Sequence, residues 1–396
     1  MTGRHWSVTV GAMCVIALLA CHRPRDRAIV RASDPACTAA SNDTSVRRLL
    51  RTLDAVAHAP PAWADYSVGR HPLLLWLRGA GGAERGRACL AFWRQRSALT
   101  VISVDSAPPL ATPLYGLIDT DPIGPRATPE ALASLARQQD VSTELRRVLA
   151  THRATRVVVL PQPLRFDDLG AFGKVMQQQG ADPVMLQLYL AVHEGFHLHS
   201  QVPTWLDQPR RYAWPAWDHQ PARRQLVASC YAGGDSIAQL VRREQGELRM
   251  AWTKLMPDAG GSVDRDGARE HARRFVATRE TRYLALRDVR IAQDTAHVSC
   301  AVGEAIMELE EGAPQWIAHT AIVRAGVQTV QQMRRAYVQP QTDMFYQLGA
   351  MQLWILEGWR GPAEMRSLTA RLGAAPRPDE AIFGEFRAVF ASPGDR

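Results

Sequence analysis

Lysine is almost missing from this 396-residue chain. It stands only at 174 and 254, so the net charge of +8 is carried by arginine. The arginines are scattered, as in RRLLR at 47–51 and REHARR at 269–274, and form no long basic run interleaved with aromatics. That pattern gives no nucleic-acid footprint and reads as the solvated faces of helices. No two cysteines stand in CxxC spacing, which argues against a cysteine zinc site. There is no Gly-x-Ser-x-Gly elbow for a serine hydrolase. GAGGAERG at 79–86 lacks the Lys-Ser/Thr of a phosphate loop and reads as a hairpin turn. The apolar run from Val8 to Ala20 is shorter than the roughly 18 residues of a spanning helix and follows Arg4 closely. It reads as a secretory signal.

What remains is an ordinary globular composition, 46% hydrophobic and 22% charged, at a length that suits two lobes. Residues 22–44 are small and polar without a sustained period and read as a tether. TSVRRLLRTLDAVAHA then has apolar residues at helical spacing, with Thr44 or Ser45 as the cap. Short apolar runs at 71–79, 87–95, 98–105 and 154–163 read as strands, and 128–152 reads as helix. Residues 45–180 thus form an α+β lobe with a small sheet. From 181 onward the pattern is helical, opening with Asp182–Pro183 as N-cap and first-turn pair. That first helix is expected to reach Gln201 and stop before Pro203. Two long amphipathic helices are expected over about 221–292, and two more over 297–322 and 342–359. The fold class is α+β: a small N-terminal sheet lobe and a larger, mostly helical lobe over 181–396.

LYLAVHEGFHLHS at 188–200 carries the chemistry. Positions i and i+4 of a helix lie on one face, so His193 and His197 can offer ring nitrogens to one ion. Glu194 is turned about a quarter of a circle away, near enough to reach the water on that ion without ligating it. This is the HExxH arrangement of zinc hydrolases, with the glutamate as general base. The flanks LYLAV and GF are apolar, so the helix is expected to be buried, and buried polar groups need partners. His199 lies on another side of the helix and is a poor third ligand.

The third ligand comes from a resemblance. ELEEGAPQWIA at 308–318 resembles the Glu-Gly-x-Ala-x-aromatic pattern of gluzincin metallopeptidases, with Pro314 where Ala is usual. The resemblance implies a zincin lobe in which His193, His197 and Glu311 hold Zn²⁺, and the chain between them is a long insertion. Glu304, Glu308 and Glu311 share one face at α-helical spacing, so Glu304 and Glu308 stay open as rivals. Glu308 and Gln315 are further expected to orient the histidine rings. FYQLGAMQLWIL at 345–356 resembles the segment of aminopeptidase N relatives in which Tyr-x-x-Gly opens a helix. It implies that Tyr346 steadies the oxyanion and that Gly349 permits close packing. The Gly-x-Met-Glu-Asn motif that holds a free amino terminus is absent, which leaves endopeptidase activity open.

LLAC at 18–21 resembles the bacterial lipobox, which implies a signal peptide over 1–21 and lipid on Cys21. His22 in place of Asp implies an outer-membrane anchor facing the periplasm. In that compartment Cys37, Cys89, Cys230 and Cys300 suggest two disulfides. Three pairings are possible, and Cys37–Cys89 with Cys230–Cys300 keeps each bridge within one lobe. The expected function is zinc-dependent peptide hydrolysis in the cell envelope, acting on a peptide or protein substrate and not on nucleic acid. The substrate would lie between the sheet and the His193 helix, beside an edge strand such as 155–160. The alternatives are a zinc hydrolase of a non-peptide bond and a non-enzymatic envelope lipoprotein.

Overall fold

The computed structural model describes residues 30–31, 35–77, 87–95, 100–105, 116–119, 156–178, 180–206, 225–231, 234–256, 261–293, 296–333, 344–374 and 381–391. The signal peptide with Cys21, the glycine-rich turn and the helix expected at 128–152 lie outside these residues. The tether is shorter than expected. Val30–Arg31 (β1) joins the sheet, and Pro35–Ser41 (α1) is a helix tied down by the Cys37–Cys89 disulfide. Thr44–His58 (α2) buries Val46, Leu49, Leu53 and Val56 at helical spacing. Its cap is Asp43, whose carboxylate accepts from the Ser45 N–H at 2.7 Å, and not Thr44 or Ser45.

Five further strands follow: Leu73–Leu77 (β2), Arg87–Trp93 (β3), Thr100–Asp105 (β4), Gly116–Asp119 (β5) and Arg156–Gln162 (β6). The sheet order is β1-β4-β3-β2-β6-β5. β2 runs parallel to β6, and every other pairing is antiparallel. All five residues of β2 are buried, as a strand covered on both faces requires. β6 lies between β2 and β5, so it is an interior strand whose backbone groups are already paired. The expectation that 155–160 is an edge open to substrate is therefore wrong. The four-residue β5 was too short to read from the sequence.

Gly170–Gln178 (α3) leads to Pro183–Phe196 (α4), capped by Asp182 accepting from the Val184 N–H at 2.8 Å. Gln187 in α4 donates to the Pro161 carbonyl at 2.7 Å and fastens this helix to β6. The helix does not stop at Gln201: a π-helical segment, His197–Leu206, carries it past Pro203. A change to π register already breaks the hydrogen-bond ladder, so a residue without an N–H is tolerated there. A second π turn, Val227–Tyr231, and Gly234 at φ +110° break the long helix expected from 221. The regular part is Asp235–Leu255 (α5), followed by Arg265–Ala285 (α6) and a short hairpin, Arg290–Gln293 (β7) with Ala296–Ser299 (β8).

Cys300–Met307 (α7) is linked to the second π turn by the Cys230–Cys300 disulfide, so both bridges pair as expected. A third π turn, Glu308–Gly312, runs into Ala313–Arg324 (α8). Met344–Arg360 (α9), Pro362–Gly373 (α10) and Ile382–Phe390 (α11) complete the described chain. One cluster of buried residues runs from Cys37 to Phe390, so the sheet and the helices share a core. The chain is mostly helical with a small sheet. No helix among the described residues is long and apolar enough to cross a membrane.

Two arginines of α6 overturn the reading of all arginines as solvated. Arg279 and Arg282 are completely buried. Arg282 donates to Glu244 of α5 at 2.6 and 2.9 Å, to Glu304 of α7, and to the Cys230 carbonyl at 3.2 Å. Arg279 donates to Glu244 at 3.1 Å and to Glu308 at 2.7 Å. Burial opposes both charges, and the facing carboxylates outweigh it, so both guanidiniums are held well above their ordinary range. Removing one partner strands the others. Arg282→Met is expected to cost about 3–5 kcal/mol in denaturant unfolding, because Glu304 loses its counter-charge and Glu244 keeps only Arg279. A cost below about 1 kcal/mol would show that the network is not what holds α6 in place.

Candidate metal centre

His193 sits in the last turn of α4, and His197 is the first residue of the π segment. The rings still meet across one turn, with Nε2 atoms 3.1 Å apart. Gly195 between them is required by a neighbour. A Cβ there would lie 2.5 Å from the Tyr66 hydroxyl, which donates to the Val192 carbonyl at 2.9 Å and seals the back of the helix.

Glu311 supplies the third donor. Its Oε2 lies 3.6 Å from His193 Nε2 and 3.5 Å from His197 Nε2, and donor atoms of the three residues fall within 4.8 Å of one another. The acidic stripe read from α-helical spacing does not exist as one face. Glu304 accepts from Arg282 and from the Tyr283 hydroxyl at 2.9 Å. Glu308 accepts from Arg279 and from Gln352 of α9 at 2.8 Å. These two are neither rival ligands nor a solvated edge, and Glu308 does not orient the histidine rings. The cause is the π turn at 308–312: one extra residue in a turn shifts everything after it by about 100°. Glu311 therefore points toward the histidines while Glu304 and Glu308 point into the arginine cluster. Gly349 does permit close packing. A Cβ on it would lie 2.6 Å from the Glu308 carbonyl oxygen, and one on Gly312 would lie 2.6 Å from the Gly349 Cα.

The partners of the ring Nδ1 atoms were not expected from the sequence. Tyr189 places its hydroxyl 3.1 Å from His193 Nδ1, and Gln201 places Oε1 2.6 Å from His197 Nδ1. Gln201 Nε2 in turn donates to the Leu309 and Glu310 carbonyls, both at 3.1 Å. The signal was available, since 189, 193, 197 and 201 form one i, i+4 ladder. Gln315, expected as a ring partner, is buried one turn beyond Glu311. The Tyr346 ring stacks on His193 at 5.8 Å and 15°, which brings that residue to the centre.

The electrostatics suit a cation. Burial works to raise Glu311, yet the His193 and His197 rings hold it well below the usual carboxylate range. Burial also works to lower His197, but Glu311 and Glu194 hold it up at about 9. Tyr189 is raised by burial and by the charges of Glu194 and Glu311. Glu194 thus acts on both sides of the ladder. Glu311 Oε2 is buried without a hydrogen-bond partner, an orphan that a metal ion would satisfy. Two imidazoles and one carboxylate are a donor set for a divalent ion such as zinc, and three protein donors leave a coordination position open.

Comparison with known proteins finds no matching family, no matching curated protein and no matching solved structure. Gly349→Ala tests the geometry of the centre. The added methyl has to push the Glu308–Gly312 turn away from α9, so metal affinity is expected to fall at least tenfold together with a loss of stability of roughly 1–3 kcal/mol. Unchanged zinc affinity by chelator competition would mean that the crossing does not set the position of Glu311.

Proposed function

We propose that the protein is a zinc-dependent hydrolase of peptide bonds, related in its site to the gluzincin metallopeptidases and held in the cell envelope by lipid on Cys21. One observation carries the reading: donor atoms of His193, His197 and Glu311 converge, and the charge of Glu194 acts beside them. A structural metal site is normally closed by four protein ligands, which favours a catalytic role here. A bound zinc ion would supply a Lewis acid that polarises the scissile carbonyl and acidifies a coordinated water.

The remaining work belongs to side chains. Glu194 accepts a proton from the attacking water as its oxygen bonds to the carbonyl carbon. The same carboxyl then gives that proton to the amide nitrogen as the C–N bond breaks, so protons balance over the cycle. Tyr346, stacked on His193, donates to the oxyanion of the tetrahedral species. Tyr189 and Gln201 hold the two rings so that each Nε2 faces the ion.

The zinc reading predicts about one zinc per chain in the purified protein, lost in His197→Ala. Absence of zinc from the wild type even after reconstitution would remove the enzyme reading altogether. Glu194→Gln is expected to keep the metal and to lose turnover by at least two orders of magnitude. Activity surviving that change would sink the mechanism. A peptide library and an ester panel, run in parallel on the zinc-loaded protein, separate peptide hydrolysis from hydrolysis of another bond.

A further inference from the structure

We propose that Gln201 is the positioning residue of this centre: its single amide fixes the His197 ring and the turn bearing Glu311 to each other. The inference rests on the metal reading above and adds how the second and third ligands are coupled. They stand far apart in sequence, Gln201 and Leu309 being 108 residues from each other.

The amide has only one workable orientation. Leu309 and Glu310 present two backbone carbonyl oxygens to one end of it, both at 3.1 Å. A carbonyl oxygen cannot donate, so the NH₂ group must occupy that end. Oε1 is then the atom facing His197 Nδ1 at 2.6 Å, and because Oε1 only accepts, Nδ1 must carry hydrogen. That leaves His197 Nε2 as the atom that can exchange its proton for a metal ion. It is the atom 3.1 Å from His193 Nε2 and 3.5 Å from Glu311 Oε2. The direction in which His197 offers its lone pair is thus dictated by backbone of the turn that carries the other ligand.

The same contact positions Glu311. Leu309 and Glu310 lie inside the π turn, and each presents its carbonyl to the Gln201 amide. Gln201, itself 3% exposed, satisfies both. On the far side of the turn Arg279 grips Glu308, and Gly349 sets the spacing to α9. The turn is therefore clamped between a buried guanidinium and a buried amide, with Glu311 projecting from the amide side. The Tyr189 hydroxyl, by contrast, meets the ring of His193 on its own helix.

A thermodynamic cycle on zinc affinity separates this role from a merely structural one. Gln201→Met keeps most of the side-chain volume but neither accepts from Nδ1–H nor donates to the carbonyls. It is expected to weaken zinc binding about 10–100-fold by chelator competition, with the zinc-free protein still folded by circular dichroism. Glu311→Ala is then expected to cost less affinity in the Gln201→Met background than in the wild type, because the turn is already released. Tyr189→Phe is the control, for which the cost of Glu311→Ala stays at its wild-type value. If Gln201→Met fails to fold, Gln201→Asn, one methylene too short to span both sides, is read through the same cycle. Wild-type affinity in either folded variant, or strictly additive losses with Glu311→Ala, overturns the proposal while leaving the metal reading intact. A wild-type protein that binds no zinc overturns both.

Discussion

The change of helical register at residues 308–312 is the constraint on which the rest depends. An unbroken α-helix would keep Glu304, Glu308 and Glu311 on one face. Such a face could meet the arginines or the histidines, but not both. With the π turn, one short stretch of chain serves two buried charge systems on opposite sides. α5, α6 and α9 gather around one side, and α4 with its π extension packs on the other. The first π segment begins at His197 itself, so the helices carrying His197 and Glu311 both depart from α geometry where these side chains converge.

Buried charge is costly unless it is paired and hydrogen-bonded. The two systems meet that demand differently. Around α6, three carboxylates face two guanidiniums in direct contact, so each of those carboxylates has a fixed cation of the protein beside it. Among the described residues, the ion-pair partners of Glu311 are the two imidazoles of His193 and His197. Glu308 and Glu304, one and two turns before Glu311, each have a fully buried arginine, whereas Glu311 faces imidazoles, an arrangement compatible with an exchangeable counter-charge. The contrast between neighbouring carboxylates says more about the centre than its donor list does.

Much of the centre was legible. His193, His197, Glu194 and the Asp182–Pro183 helix start follow from spacing, and Glu311, Tyr346 and Gly349 were reached through short motifs that the geometry brings together. Both disulfide pairings were readable because each joins neighbouring parts of the fold. The π turns were not readable, since helical periodicity assumes a constant 3.6 residues per turn. That assumption produced the acidic stripe, and the early helix end at Gln201 came from reading Pro203 as a stop in an α-helical ladder. Arg279 and Arg282 were missed for another reason: charged residues are surface residues by default, and only their partners reveal otherwise. Gln201 and Tyr189 could have been found by extending the histidine ladder one step in each direction. Strand order is non-local, so the interior place of β6 left no mark in its own residues.

The Cys230–Cys300 bridge has a consequence for assembly. In a reduced, unfolded chain the two ligand segments are separated by a long flexible loop, and bringing them together costs closure entropy that grows with its length. The bridge spans 70 of the intervening residues and ends at the start of α7, directly ahead of the turn bearing Glu311. Once it forms, the covalent path between the histidines and Glu311 is far shorter, even before any helix has packed. Oxidation therefore performs part of the search that brings Glu311 to the histidines, and ties formation of that cluster to the redox state of the surroundings in which the chain folds.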